Sequence, residues 1–257
     1  MESLQPACIW SRLPIDLHKM SDPEPPPPKK NRGRPPSSQA DKNTRLNESG
    51  KKEKIRKPPG LMAPAKAETA LLPPFIGLSL DQIYVPSSRV ECQNAAEEIL
   101  AAGIAGFDTE ARPTFRAGQK STGPHVVQFS LIDKAFIFQL HHQECAKASS
   151  ELISSAAILK VGFGLQNDHS QIRNRLGIEL SHVLDLDQVF RKMGYRGQIG
   201  VRGAMGVLLK QCFKKSKSTT TSNWACPDLT HRQLTYAAND AYAALKIMKA
   251  LEMEGHL

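Results

Sequence analysis

The chain has 257 residues, with 34 Lys and Arg against 25 Asp and Glu for a formal charge of +9, which allows one sizeable domain plus a tail or two small domains. No run approaches the ~18 consecutive apolar residues of a membrane span, and the first twenty residues lack the apolar stretch of a signal peptide, so a soluble, unexported chain of cytoplasm, nucleoid or nucleus is expected. Five scattered cysteines with no CxxC pair point to reduced thiols, not to a zinc or redox site.

The charge is unevenly spread. Residues 1–70 hold 14 Lys and Arg against 8 Asp and Glu, and 14 of the 18 prolines precede residue 75. From 22 to 69 there is almost nothing to bury, so residues 1–72 are expected to form a disordered basic tail and 73–257 the folded domain. Met20 opens the Pro-rich part directly and is read as the natural start. Within the tail, Lys29-Lys30-Asn31-Arg32-Gly33-Arg34-Pro35 resembles an AT-hook, whose Arg-Gly-Arg core lies in the narrow minor groove of A·T-rich DNA. A polybasic linker that binds any phosphate backbone is the alternative.

Along the domain, apolar patterning predicts strands at 83–85, 104–108, 125–132, 135–139, 158–162 and 183–186. Helices are predicted at 89–102, 145–156, 165–176 and 187–193, with mainly helical structure thereafter. Hairpin-spaced strands followed by strand-helix alternation indicate an α/β fold with a mixed sheet flanked by helices.

Three places carry carboxylates in a suggestive setting. Asp108 and Glu110 end the apolar run 104–107; two apart on a strand, they share a face, and like charges so close call for a hard cation such as Mg²⁺ or Mn²⁺. Asp168 follows Lys160-Val161-Gly162-Phe163-Gly164, where a buried strand turns into a helix, although an acid at a helix start is also favoured by the dipole alone. Tyr236 and Asp240 are four apart in an Ala-rich helix whose small residues permit close packing on the sheet. An ordinary amphipathic helix would look the same.

Taken in order, D-x-E, an Asp after a strand-Gly turn, and Y-x-x-x-D within YAANDA resemble the DEDDy 3′-5′ exonucleases of the ribonuclease H-like superfamily. GFDTEARPTF, HVVQFSLID, KVGFGLQND and SNWACPDLTHRQLTYAANDAYAAL are similar to family text over roughly residues 75–250, with the Gly-x-Gly-x-x-x-Asp form closest to the Werner-syndrome-type exonuclease domain and ribonuclease D as a further relative. Thr235 stands where histidine-type members carry their base, which leaves Tyr236 as the active-site partner. Cys226-Pro227-Asp228-Leu229 lacks the arginine of the ribonuclease D text.

The resemblance implies a three-layer ribonuclease H-like fold and a metal-dependent exonuclease acting on single-stranded or 3′-recessed DNA, with RNA as the other substrate class. It implies that Asp108 bridges two divalent ions, Mg²⁺ or Mn²⁺, about 3.5 to 4 Å apart. Glu110 and Asp240 would complete one ion's site, and Asp168 would support the other through water. Tyr236 would orient the attacking water, and nucleoside 5′-monophosphates would be released. The tail would contact phosphates or an A·T-rich minor groove.

Two other functions compete. Gly162-x-Gly164 with Asp185 at the end of the next strand mimics a dinucleotide site, but Asn167 replaces the third glycine and Asp168 puts a carboxylate where a pyrophosphate would sit. A nuclease fold that has lost catalysis and serves as a nucleic-acid adaptor is the second. Among the remaining residues, Lys210, Lys214, Lys215 and Lys217 before the Ser/Thr run 218–222 form either a phosphate-guiding loop or a solvated surface. Arg112, Phe115 and Gln128 are candidates for contact with a terminal nucleotide, and His141, His142 and His169 lack metal-ligand partners at suitable spacing.

Overall fold

The computed structural model describes residues 44–46, 52–54, 60–115, 118–119 and 121–257. In the first of two units, Met1–Arg56, the described residues are strands β1 (Thr44–Leu46) and β2 (Lys52–Lys54), which pair antiparallel within the segment expected to be a disordered tail. The AT-hook-like motif and Met20 lie outside the described residues.

The second unit, Lys57–Leu257, begins earlier than the predicted boundary at 73. Leu61 donates its N–H to the Gly194 carbonyl and accepts from Arg196 N–H, at 3.0 and 2.8 Å. The short helix α1 (Lys66–Thr69) then buries Thr69. Composition hides this segment, because a few backbone bonds and one buried side chain per turn leave no periodic apolar signal.

A six-stranded mixed sheet follows. Its strands are β3 (Ile83–Tyr84), β4 (Ile104–Glu110), β5 (Val126–Ser130), β6 (Ala135–Gln139), β7 (Leu159–Gly162) and β8 (Val183–Asp185). In space they run β3-β6-β5-β4-β7-β8, with β4, β5 and β6 antiparallel and β7 and β8 parallel to β4. Helices α2 (Arg89–Ala102) and α3 (Gln143–Ser154) cover one face over a core of Ile99, Phe107, Phe129, Phe138 and Leu152. Ser88 caps α2: its hydroxyl accepts from Glu91 N–H, and the Glu91 carboxylate accepts from the Ser87 and Ser88 N–H groups.

Between β7 and β8 lies α4 (Gln166–Leu176), and α5 (Leu186–Lys192) follows β8. Beyond residue 193 the regular structure is helical, as expected, but interrupted. Only α6 (Gly200–Ala204), a π-helical turn at Met205–Leu209, α7 (Lys217–Thr220) and the long α8 (His231–Met253) are helical, and residues 210–216 and 221–230 are irregular. No described helix is long and apolar enough to cross a membrane.

The other face of the sheet carries α8, lying across β4, β5 and β7. The approach is close because the facing residues are small. A Cβ on Gly106 would stand 1.9 Å from the Ala241 carbonyl oxygen, and Ala237, Ala238 and Ala241 are all wholly buried. Ser130 donates to the Ala238 carbonyl at 2.9 Å, and Asn239 clamps the backbone N–H and carbonyl of Leu78. The free carbonyls at the end of α3 meet a different device. The buried Lys160 ammonium on β7 donates to the Leu152, Ser155 and Ile158 carbonyls at 3.2, 2.7 and 3.0 Å, although burial draws it down to about 8. Lys160→Met strands all three acceptors and is expected to cost about 3 kcal/mol, a fall of roughly 6–12 °C in Tm. A thermal melt within error of the parent would refute this role.

Candidate active site

Three elements deliver five side chains to the carboxyl end of β4. Asp108 and Glu110 share the α8-facing side of that strand, which runs two residues beyond its predicted end because Asp108 pairs with Gln128, and Glu110 with Val126, on β5. Asp240, one turn beyond Tyr236, projects from α8. Carboxylate oxygens of Asp108, Glu110 and Asp240 all lie within 4.8 Å of one another. Asp168 comes from the first turn of α4, whose Ile172 belongs to the core on the opposite face of the sheet. It is fixed by a hydrogen bond from the Thr109 hydroxyl, which leaves β4 on the side opposite to Asp108.

The turn before α4 is held by Asp185. Its carboxylate accepts from Gly164, Leu165 and Asp187 N–H groups at 3.0, 3.2 and 3.0 Å, and Gly164 adopts a positive φ of 64°. An acid spent on three backbone donors is a turn clamp, so the dinucleotide reading loses its ribose ligand. Asp108, Asp168 and Asp240 line a cavity of about 530 Å³ together with Asn167, Gln198 and Lys215. A second cavity of about 670 Å³ lies beside Tyr236 and Asp240 and adds Phe75, Lys214, His231 and Arg232.

The electrostatics of the cluster are strained. Burial first, and then the charges of Asp168 and Asp240, hold the Asp108 carboxyl far above its usual range. Glu110 is pushed up to about 10 by burial and by Asp108. Burial likewise raises Asp168 and Asp240, against the Thr109 hydroxyl in one case and the Lys215 ammonium in the other. The Asp240 carboxylate is buried, with Lys215 Nζ 2.7 Å from Oδ2 and the Tyr236 hydroxyl as its other polar neighbour. Converging hard oxygens that repel one another in a buried site fit divalent cations.

Tyr236 is pushed up by burial and by Asp240, so it stays a neutral phenol. Its oxygen accepts from the Thr220 hydroxyl at 2.9 Å, its phenolic proton is turned to the Asp240 carboxylate within the site, and its ring lies 5.9 Å from that of buried Trp224. The sequence pointed to the five residues and offered Lys215 only as one of four lysines of a phosphate-guiding loop, while Thr109 and Thr220 look like any other members of a strand and a Ser/Thr run.

The other residues singled out from the sequence are placed differently. Gln128 is 0% exposed and lies in register with Asp108, so it is part of the floor of the acid pair and out of reach of a nucleotide. Phe115 is 81% exposed, and Arg112 gives its backbone N–H to His125. His141 and His142 stack on each other, and His169 pairs with Glu179.

A protein-family model described as a 3′-5′ exonuclease matches residues 85–256. The chain is 30% identical over 155 residues to a 3′-5′ exonuclease of Arabidopsis thaliana, covering 58% of this chain and 54% of that one. It is 28% identical over 168 residues to the bifunctional 3′-5′ exonuclease/ATP-dependent helicase WRN of Mus musculus, covering 63% of this chain and 12% of the larger protein. The chain thus spans about half, and about an eighth, of the lengths of these two relatives. The fold is shared with RNase D of Trypanosoma brucei at a TM-score of 0.60 and 21% identity, over 67% of this chain and 65% of that one.

Proposed function

The chain belongs to the 3′-5′ exonuclease family, and from that membership we propose that it hydrolyses the terminal phosphodiester of a nucleic-acid strand, DNA ahead of RNA, to release nucleoside 5′-monophosphates. The observation that carries the reading is the meeting of Asp108, Glu110 and Asp240 oxygens within 4.8 Å, beside Asp168 and a neutral Tyr236.

Asp108, Glu110, Asp168 and Asp240 would hold two divalent cations, Mg²⁺ or Mn²⁺, which when bound lower the pKa of water and stabilise the departing 3′ oxygen. The protein's own part is positional. Tyr236, held from behind by Thr220, would hydrogen-bond to the incoming water without giving up its proton and fix the direction of attack. Water adds to phosphorus, the bond to the 3′ oxygen breaks, and the strand keeps a 3′-hydroxyl while the phosphate leaves on the nucleotide's 5′ oxygen. Thr109 holds Asp168 so that the far carboxylate stays in register with Asp108.

DNA is placed first because of the similarity to the WRN exonuclease and the AT-hook-like motif. The shared fold with an RNase D favours RNA as the second reading, since discrimination rests on contacts at the 2′ position. The test is matched 3′-labelled DNA and RNA strands, single and recessed, incubated with the full chain and Mn²⁺. Mononucleotides released faster from DNA support the proposal; no release from either strand leaves a nucleic-acid adaptor.

Residues 1–56 hold 12 Lys and Arg against 7 Asp and Glu, a composition suited to retaining a polyanion near the site. A chain starting at Lys57, which keeps the packed segment 60–72, is expected to show a higher KM and a flatter salt dependence with kcat within about twofold. Steady-state kinetics at several salt concentrations decide this, and a large fall in kcat would rule out a tethering role.

A further inference from the structure

Among the described residues, Lys215 is the one cation ion-paired with an acid of the cluster. Its Nζ is 2.7 Å from Asp240 Oδ2 and 5.6 Å from the centre of the Tyr236 ring. The two ends of this pair are unequally placed. Asp240's side chain is 3% exposed and sits on a long packed helix, whereas Lys215's is 40% exposed and belongs to the irregular segment 210–216. One partner is fixed, and the other has a path to solvent that breaks no helix or strand.

The ammonium also sits where further positive charge is needed. It lines the same cavity as Asp108 and Asp168, and its charge acts on Asp108 as well as on Asp240. Four carboxylates are neutralised by two divalent cations, and a fifth positive charge at 2.7 Å from one of the ligands would then be repelled. A lysine and a metal ion therefore compete for Asp240. Competition for one carboxylate is a coupling between two bound cations, and it is reciprocal.

Resting on the exonuclease reading of the site, we propose that Lys215 is a displaceable counter-ion: it holds Asp240 in the metal-free protein, is expelled by the divalent cation that binds there, and then presents its charge to the phosphate strand entering the cavity. It is a positioning residue, which keeps the cluster assembled before loading and adds attraction for the polyanion only after loading. The site would then favour substrate only once it is loaded.

The test is calorimetric titration of Mn²⁺ into the full chain, Lys215→Met and Lys215→Arg, with thermal melts of each in chelator and in saturating Mn²⁺. Removing the competitor is expected to tighten Mn²⁺ binding about fivefold or more in Lys215→Met, while Lys215→Arg, which keeps the charge, stays within about twofold of the parent. Lys215→Met should melt lower than the parent in chelator and together with it in Mn²⁺. Lys215→Gln replaces the methionine variant if the latter does not fold. Equal Mn²⁺ affinities in folded parent and Lys215→Met overturn the displacement alone, and absence of Mn²⁺ binding in all of them overturns the metal-dependent reading of the site as well.

Discussion

Asp108→Asn is expected to lower kcat for 3′-end removal by at least about a thousandfold, since it withdraws the carboxylate shared by the whole cluster. The same change should make the metal-free protein less sensitive to pH. Folding raises Glu110 from its ordinary 4.5 to about 10, with burial the first cause and the neighbouring Asp108 charge the second. Between those values the folded chain keeps a proton that the unfolded chain has released, so stability in chelator falls as pH rises across this window. Asp108→Asn removes both a second carboxyl whose pKa folding raises and its repulsion of Glu110, and so flattens that fall. Melting curves in chelator from pH 5 to 9, alongside mononucleotide release in Mn²⁺, check both halves. Full activity in the variant would refute the assignment, whatever the melts show.

Gly106→Ala tests how the site is held. The added methyl would lie 1.9 Å from the Ala241 carbonyl oxygen and 2.7 Å from its carbon, and backbone stands on both sides of the clash. Helix α8 has to lift from β4, at an expected cost of about 3 kcal/mol and a fall of roughly 6–12 °C in Tm. Because Tyr236 and Asp240 ride on that helix, the fraction still folded should lose about a hundredfold in kcat, the effect of displacing a reacting group by an ångström. Melting and single-turnover rates measured below the lower Tm separate the two losses. An unchanged Tm would mean that the helix has room the structure does not show.

Much of this arrangement was legible before any coordinates, for reasons that differ by residue. Asp108 and Glu110 could be paired because a strand has period two, and Tyr236 and Asp240 because a helix brings positions four apart together. The alanines around Tyr236 signalled the close approach to the sheet. Legibility failed where one side chain acts across the fold without any periodicity. Thr109 points away from its neighbours on β4 to reach Asp168, and Lys215 is one of four lysines between 210 and 217, distinguished only by where an irregular segment places it. Asp185 misled in the other direction: its distance from Gly162 is that of a ribose ligand, yet its oxygens are consumed by the turn. Residues 60–72 fall on the tail side of the predicted boundary because they follow the Lys- and Pro-rich run 51–59 without a strand or helix pattern of their own, while what joins them to the domain is backbone pairing, to which composition is blind.

The delivery of acids from opposite faces of the sheet has a consequence for how this chain behaves as it is made. Asp240 arrives with the layer that folds over β4 from one side, and Asp168 with the layer on the other. A nascent or damaged chain with either layer undocked retains at most part of the ligand set. If the acids act as proposed, such a chain would not cleave the nucleic acids around it. On the proposed exonuclease reading, the centre would thereby be its own quality control, complete only when both layers are docked.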